Sequence, residues 1–268
     1  MAGEIAKEAP LAIRQEAYPV VVLSHGTGGT AAGLAWLAQR LARNGFFVIG
    51  VDHHGNTATE AYRAEGFLCW WERARDLTVL LDHHATGPFA RRIDLGRVYA
   101  AGFSLGGYTV LSLLGAITEM PLFVNWASDK PWGNGPREFP NLGELIPTLL
   151  ESNPVFRASW DRQSASYMDT RIKGGLLCAP APTVRGLTID SLMKIDVPVS
   201  IAAVGKDLEA PSDLCAEWVH QNLPNSTFTL LDPGAGHYVF LCECTDWGKA
   251  HEAEICRDAP GGRSPFDT

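Results

Sequence analysis

The chain has 268 residues and a formal net charge of −8, with 46% hydrophobic, 19% charged and 9% aromatic side chains. These proportions exclude a disordered or collagen-like polymer and suffice for one large domain with a well-buried core. The acidic balance argues against an extended basic surface for nucleic acid, and no stretch approaches the roughly 18 apolar residues of a membrane span.

The opening "MAGEIAKEAP" has no basic segment followed by an apolar one. The chain as written therefore reads as cytoplasmic, with a periplasmic or secreted mature form as the alternative. "YPVVVLSHG" (18–26) is a continuous apolar run ending in a glycine turn, the pattern of a strand buried on both faces. "GLAWLAQRLARNG" (33–45) follows as a helix closed by Gly45, and "FFVIGVD" (46–52) is a second buried strand. Residues 67–84 read as one helix, 97–103 as a strand and 105–116 as a helix. Strands are expected again at 171–180, 197–205 and 226–232, with a helix over 211–223. Strand alternating with helix predicts an α/β fold, a mostly parallel central sheet with helices on both faces. Residues 119–170, rich in tryptophan, proline and glycine, interrupt the rhythm and are expected to form a lid or cap on a binding cleft. Nothing else divides the chain, so residues 1–268 read as a single domain carrying that insertion.

"GFSLGG" (102–107) joins the third strand to its helix. A G-x-S-x-G sequence in that setting forms a sharp turn that lifts the hydroxyl of Ser104 clear of the sheet, above a helix N-terminus that favours negative charge. A serine hydroxyl needs a base, and His237 in "GAGHYVF" is the candidate. The histidine needs a carboxylate to hold its tautomer. Asp207 in "VGKDLEAP" is the first choice, with Glu209 and Asp232 as competitors. Serine, acid and histidine in that chain order are the arrangement of an α/β-hydrolase. The oxyanion donors are expected to be the amide of Leu105, which follows the nucleophile, and that of Thr27 in "SHGTGG", with Gly28 as the alternative.

His25 precedes that loop and is expected to support it by packing or hydrogen bonding. "DHHG" (52–55) and "DHHA" (82–85) look rich in metal ligands, but adjacent residues diverge on strands and on helices, so no metal site is expected. His83 and His84 read as a polar helix end. His53 and His54 leave a strand on its catalytic side and are pocket candidates, as are Trp126, Trp132, Trp160 and Tyr238. Of six cysteines, Cys69, Cys178 and Cys215 read as small buried hydrophobes. Cys242, Cys244 and Cys256 allow a disulfide closing a C-terminal loop or, with His251, a zinc site of unusual spacing.

The segments 18–57, 102–107, 169–181, 194–211 and 236–241 together resemble the predicted dienelactone hydrolase group of α/β-hydrolases, related to platelet-activating-factor acetylhydrolases. The resemblance extends over most of residues 18–258 and is weakest in the insertion. It implies an α/β-hydrolase fold, no metal or organic cofactor, and a disulfide between Cys244 and Cys256 in an exported protein. Family members carry more chain before the "SHGTGG" strand, so a shortened sheet or a trimmed N-terminus is expected. Authentic dienelactone hydrolases use a cysteine nucleophile, so Ser104 points away from dienelactone.

The function expected is cleavage of a small carboxylic ester through an acyl-enzyme, with no nucleic-acid partner and no membrane span. An amidase, thioesterase or acyltransferase would use the same triad, and a non-catalytic hydrolase-fold binding protein would have no need of it.

Overall fold

The computed structural model describes residues 8–13 and 16–256. Its strands are β1 (Tyr18–Ser24), β2 (Phe47–Val51), β3 (Ile93–Phe103), β4 (Ile172–Cys178), β5 (Val199–Ala203) and β6 (Ser226–Leu230), in the spatial order β2-β1-β3-β4-β5-β6. Every pairing among them is parallel. Helices α1 (Ala35–Arg43), α2 (Ala64–Leu68), α3 (Glu72–Thr86) and α4 (Leu105–Leu113) belong to the first half. The segment after α4 holds α5 (Met120–Ala127), α6 (Ile146–Ser152) and α7 (Pro154–Trp160). Then come α8 (Ile189–Leu192), α9 (Ala216–Asn222), α10 (Asp246–His251) and α11 (Ala253–Cys256).

The apolar run of β1 is continuous because both of its faces are covered. Val20 and Val22 enter one core with Leu77 and Leu81 of α3, Leu111 of α4 and Val219 of α9. Val21 and Leu23 enter the other, with Leu37 of α1, Phe103 and Phe240. Alternation along the strand thus feeds two layers of helix, the sandwich that parallel sheets require. From β1 the chain runs to β2 at the sheet edge and then crosses back to β3 on the other side of β1. This reversal opens a crevice at the C-terminal ends of β1 and β3, where α/β sheets bind ligands.

Three expected elements differ. The helix expected over 67–84 is two helices separated at residues 69–71. Trp70 and Trp71 are both buried, at 6% and 0% exposure. Neighbouring side chains on a continuous helix diverge by about 100°, so a break lets both indoles turn inward. The helix expected from 211 begins only at Ala216, because Pro211 opens a turn whose carbonyl accepts the amides of Leu214 and Cys215. Strand β3 starts at Ile93, four residues before the apolar run that marks it in sequence. Among the described residues no helix is long and apolar enough to cross a membrane.

Candidate active site

Ser104 lies between β3 and α4 with φ 54° and ψ −118°, a conformation that a residue with a Cβ adopts only under constraint. The flanking glycines show what imposes it. A Cβ on Gly102 would collide with the Gly106 carbonyl, and one on Gly106 with the carbonyl of Ser24 in β1. Strand, turn and helix therefore approach at backbone distance. All nine residues of α4 are buried, and the Ser104 amide donates to Cys178 O at 2.9 Å, so the turn has little room to relax.

The loops after β5 and β6 are clamped together. The Gly205 amide donates to Asp232 O at 2.9 Å and the Lys206 amide to Ala235 O at 3.0 Å. The clamp brings Asp207 to His237, and His237 Nδ1 donates to Asp207 Oδ2 at 2.7 Å. The other carboxylate oxygen accepts the amides of Glu209 at 3.0 Å and Ala210 at 2.7 Å. Asp207 and His237 are each 5% exposed, and the imidazole packs on Phe103 at a centroid distance of 4.7 Å. With Nδ1 held by the carboxylate, Nε2 is the nitrogen available for proton transfer. Ser104 and His237 line one cavity of about 500 Å³, and among the described residues neither Ser104 Oγ nor His237 Nε2 has a hydrogen-bond partner. Of the competing carboxylates, Glu209 is exposed and Asp232 Oδ1 accepts the Gly234 amide at 2.7 Å.

The amides of Thr27 and Leu105 carry no hydrogen bond among the described residues. The Gly28 amide, the alternative donor, is occupied: it donates to Asn56 Oδ1 at 2.6 Å. Thr27 lines the cavity beside Ser104, and a Cβ on Gly26 would lie 3.1 Å from the Ser104 Cβ, so this loop is seated against the serine.

The cavity wall is mostly apolar. Leu68, Trp70, Met120, Phe123, Leu142 and Ile146 contribute to it, four of them from the 119–170 segment. Of the pocket candidates, Trp132 and Tyr238 line the cavity, and Arg137 stands at 5.7 Å over the Tyr238 ring. The other pocket candidates lie elsewhere. Trp126 stacks on Trp132 at 5.5 Å but does not reach the cavity, and Trp160 packs on Trp71 and Phe156. His54 is exposed and paired with Glu60 at 2.8 Å. His53 is turned away from the cavity, under the 25–28 loop, where Ser24 Oγ lies 2.9 Å from its Nε2 and Asp76 Oδ2 2.7 Å from its Nδ1. Sequence spacing fixes which strand end a side chain leaves, but tertiary packing decides the side to which it turns.

Around His53 is a buried polar group that sequence reading did not assemble. Burial, with the nearby Arg73 guanidinium and His53, lowers the His25 pKa to about 2. Burial and Arg73 likewise push His53 well below its usual value, and burial lowers Arg73 to about 9. Burial raises the Asp76 carboxyl to about 6. Among the described residues no set of three or more His, Cys, Asp or Glu side chains is arranged to hold a metal ion. Cys244 and Cys256 are joined in a disulfide, so two of the three thiolates that a zinc site would need are spent on each other. Cys69, Cys178 and Cys215 are buried free thiols.

The model of a family described as "PETase: PET hydrolase-like" matches residues 10–156. Cutinase 2 of Thermobifida cellulosilytica is 28% identical over 164 residues, covering 57% of this chain and 58% of that protein. Cutinase est1 of Thermobifida alba is 31% identical over 166 residues, 57% of this chain and 51% of the cutinase. A bis(hydroxyethyl) terephthalate hydrolase of Streptomyces coelicolor is 31% identical over 131 residues, 46% of this chain and 38% of that enzyme. The chain thus spans about half the length of these curated relatives. Among solved structures, a ferulic acid esterase from Streptomyces cinnamoneus superposes with a TM-score of 0.51 at 18% identity, covering 91% of this chain and 57% of that one. That likeness shows the α/β-hydrolase fold.

Proposed function

The chain belongs to the PET hydrolase-like family, and from that premise we propose that it is a serine carboxylic-ester hydrolase working through an acyl-enzyme. The observation that carries the reading is the Nδ1–carboxylate bond between His237 and Asp207 at the cavity that also holds the constrained Ser104. In this mechanism His237 Nε2 takes the proton of Ser104 Oγ as the oxygen attacks the ester carbonyl. The tetrahedral oxyanion is held by the Thr27 and Leu105 amides, the latter at the N-terminus of α4. His237 then protonates the leaving alkoxide, and the C–O bond breaks to give the acyl-serine. Water enters, His237 removes its proton, and collapse of the second tetrahedral species returns Ser104 and a carboxylic acid. Asp207 stabilises the imidazolium in both halves without taking the proton.

The substrate proposed is a small ester with an apolar acyl or aryl group, because the cavity wall is built from aliphatic and aromatic side chains. Residues 119–170 act as the cap of a single domain, and Met120, Phe123, Leu142 and Ile146 of the apolar cavity wall come from them. The Cys244–Cys256 disulfide favours an oxidising compartment, the exported form rather than the cytoplasmic one. Hydrolysis of p-nitrophenyl acetate, butyrate and octanoate by the protein and by Ser104→Ala tests the assignment. Activity lost in the variant supports it, and ester cleavage surviving in Ser104→Ala overturns it.

A further inference from the structure

The loop bearing Thr27 has glycines at positions 26, 28 and 29, and left to itself would be too mobile to present an amide in a fixed direction. A built set of side chains stands behind it. The Gly26 carbonyl accepts from His25 Nδ1 at 2.7 Å and from the Gly29 amide at 3.2 Å. A peptide unit is planar and, with no cis bond among the described residues, its carbonyl and N–H point in opposite directions. The peptide whose carbonyl is Gly26 O carries its N–H on Thr27. Holding that oxygen on the His25 side therefore aims the Thr27 N–H to the other side.

His25 can act in this way only with its proton on Nδ1, and its surroundings impose that tautomer. The backbone N–H of His53 donates to His25 Nε2 at 3.0 Å, which leaves Nε2 as an acceptor. Arg73 Nη2 donates to the His25 carbonyl and lies 3.4 Å from Nδ1, opposing a second proton on the ring. His53 is itself tied between Asp76 and Ser24, the residue that precedes His25. Arg73 and Asp76, three apart on α3, thus buttress the loop through two histidines. His25, His53 and Arg73 are each no more than 2% exposed.

We propose that His25 is a positioning residue for the oxyanion site: its Nδ1–H holds the Gly26–Thr27 peptide plane, Arg73 and the Asp76-anchored His53 hold His25, and the Thr27 amide is aimed in advance at the charge developing on the substrate oxygen. The proposal rests on the esterase reading above. It also accounts for a Ser–His–Asp chain, Ser24–His53–Asp76, whose serine is fully buried: it serves the loop.

The test compares His25→Asn with His25→Gln. An asparagine amide sits where Nδ1 sits and can still donate to Gly26 O; a glutamine amide sits near Nε2 and cannot. With p-nitrophenyl butyrate, His25→Gln is expected to lower kcat about tenfold to a hundredfold with KM within about threefold, and His25→Asn to stay within about fivefold of the parent. Binding of n-butylboronic acid, whose tetrahedral adduct on a serine places a negative oxygen at the oxyanion position, should weaken in parallel with kcat. Circular dichroism checks folding, and His25→Phe takes the place of the glutamine variant should that not fold. Equal kcat in the two variants, or a loss confined to KM with boronate binding unchanged, overturns the proposal. A parent protein with no Ser104-dependent ester cleavage overturns the esterase reading instead, so the two failures are told apart.

Discussion

The close approach of the Ser104 turn to β1 can be tested with a single methyl group. In Gly106→Ala the added Cβ would fall against the Ser24 carbonyl, with the carbonyl carbon 2.7 Å away and His25 O at 3.1 Å. The Ser24 oxygen would lie nearer still, and ordinary contact starts near 3.4 Å, so strand and helix must part by more than about 1 Å. Every neighbour is buried backbone. Overpacking of this kind costs about 3 kcal/mol, which lowers Tm by about 6–12 °C in a chain of this size. Because the displaced elements carry Ser104 and the 25–28 loop, kcat should fall about a hundredfold in the molecules that remain folded. The matched control is Gly143→Ala, where the new Cβ meets nothing within 4 Å and the backbone is already in a short helical turn. There the smaller entropy of the unfolded chain should stabilise the fold by about 0.4–1 kcal/mol. Differential scanning calorimetry and ester kinetics on the pair decide the matter. If Gly106→Ala melts and turns over like the parent, the steric account of the turn is wrong.

Three further outcomes follow from the same structure. Asp207→Asn should reduce kcat by about 10³–10⁴ with the fold intact, since an amide can hold the wrong tautomer of His237, while Asp232→Asn should stay near the parent; esterase kinetics on both report this. Acidification should destabilise the protein through His25: below pH 6.5 the unfolded chain binds a proton there that the folded one refuses down to about pH 2, so stability falls as pH falls through that window. Over pH 6 to 4, urea titrations should show this residue adding about 1.4 kcal/mol of loss per pH unit, an increment absent in His25→Asn; Asp76, raised to about 6, contributes with the opposite sign in both proteins. Finally, Cys256→Ser should loosen α10 and α11, which bury no residue, so limited proteolysis is expected to cut within residues 245–256 while the main melting transition and activity are retained.

The strands were legible because burial on both faces demands continuous apolar runs, and "GFSLGG" could be placed because a strand and a helix flank it. The pairing of Asp207 with His237 was readable from chain order, since the loops after successive parallel strands must end on the same side of the sheet. Trp126, Trp160, His53 and His54 were placed wrongly for a common reason. Residue type and position in the chain do not reveal the partner of each, which is Trp132, Trp71, Asp76 or Glu60, brought near by folding. Met120, Phe123, Leu142 and Ile146 could have been found, being apolar residues in a segment too polar to have a core of its own. Asn56 and Arg73 gave no signal. A buried arginine that serves a backbone carbonyl looks in sequence like any charge on a helix.

The central claim, that Ser104 is a nucleophile activated by His237, is tested most directly by trapping it. The protein is treated with an alkyl fluorophosphonate, digested and mapped by mass spectrometry, beside Ser104→Ala and His237→Ala. The account predicts one adduct, on Ser104, absent in the alanine variant and formed far more slowly without the histidine. An adduct on another residue, or no adduct on the folded parent protein, would contradict it.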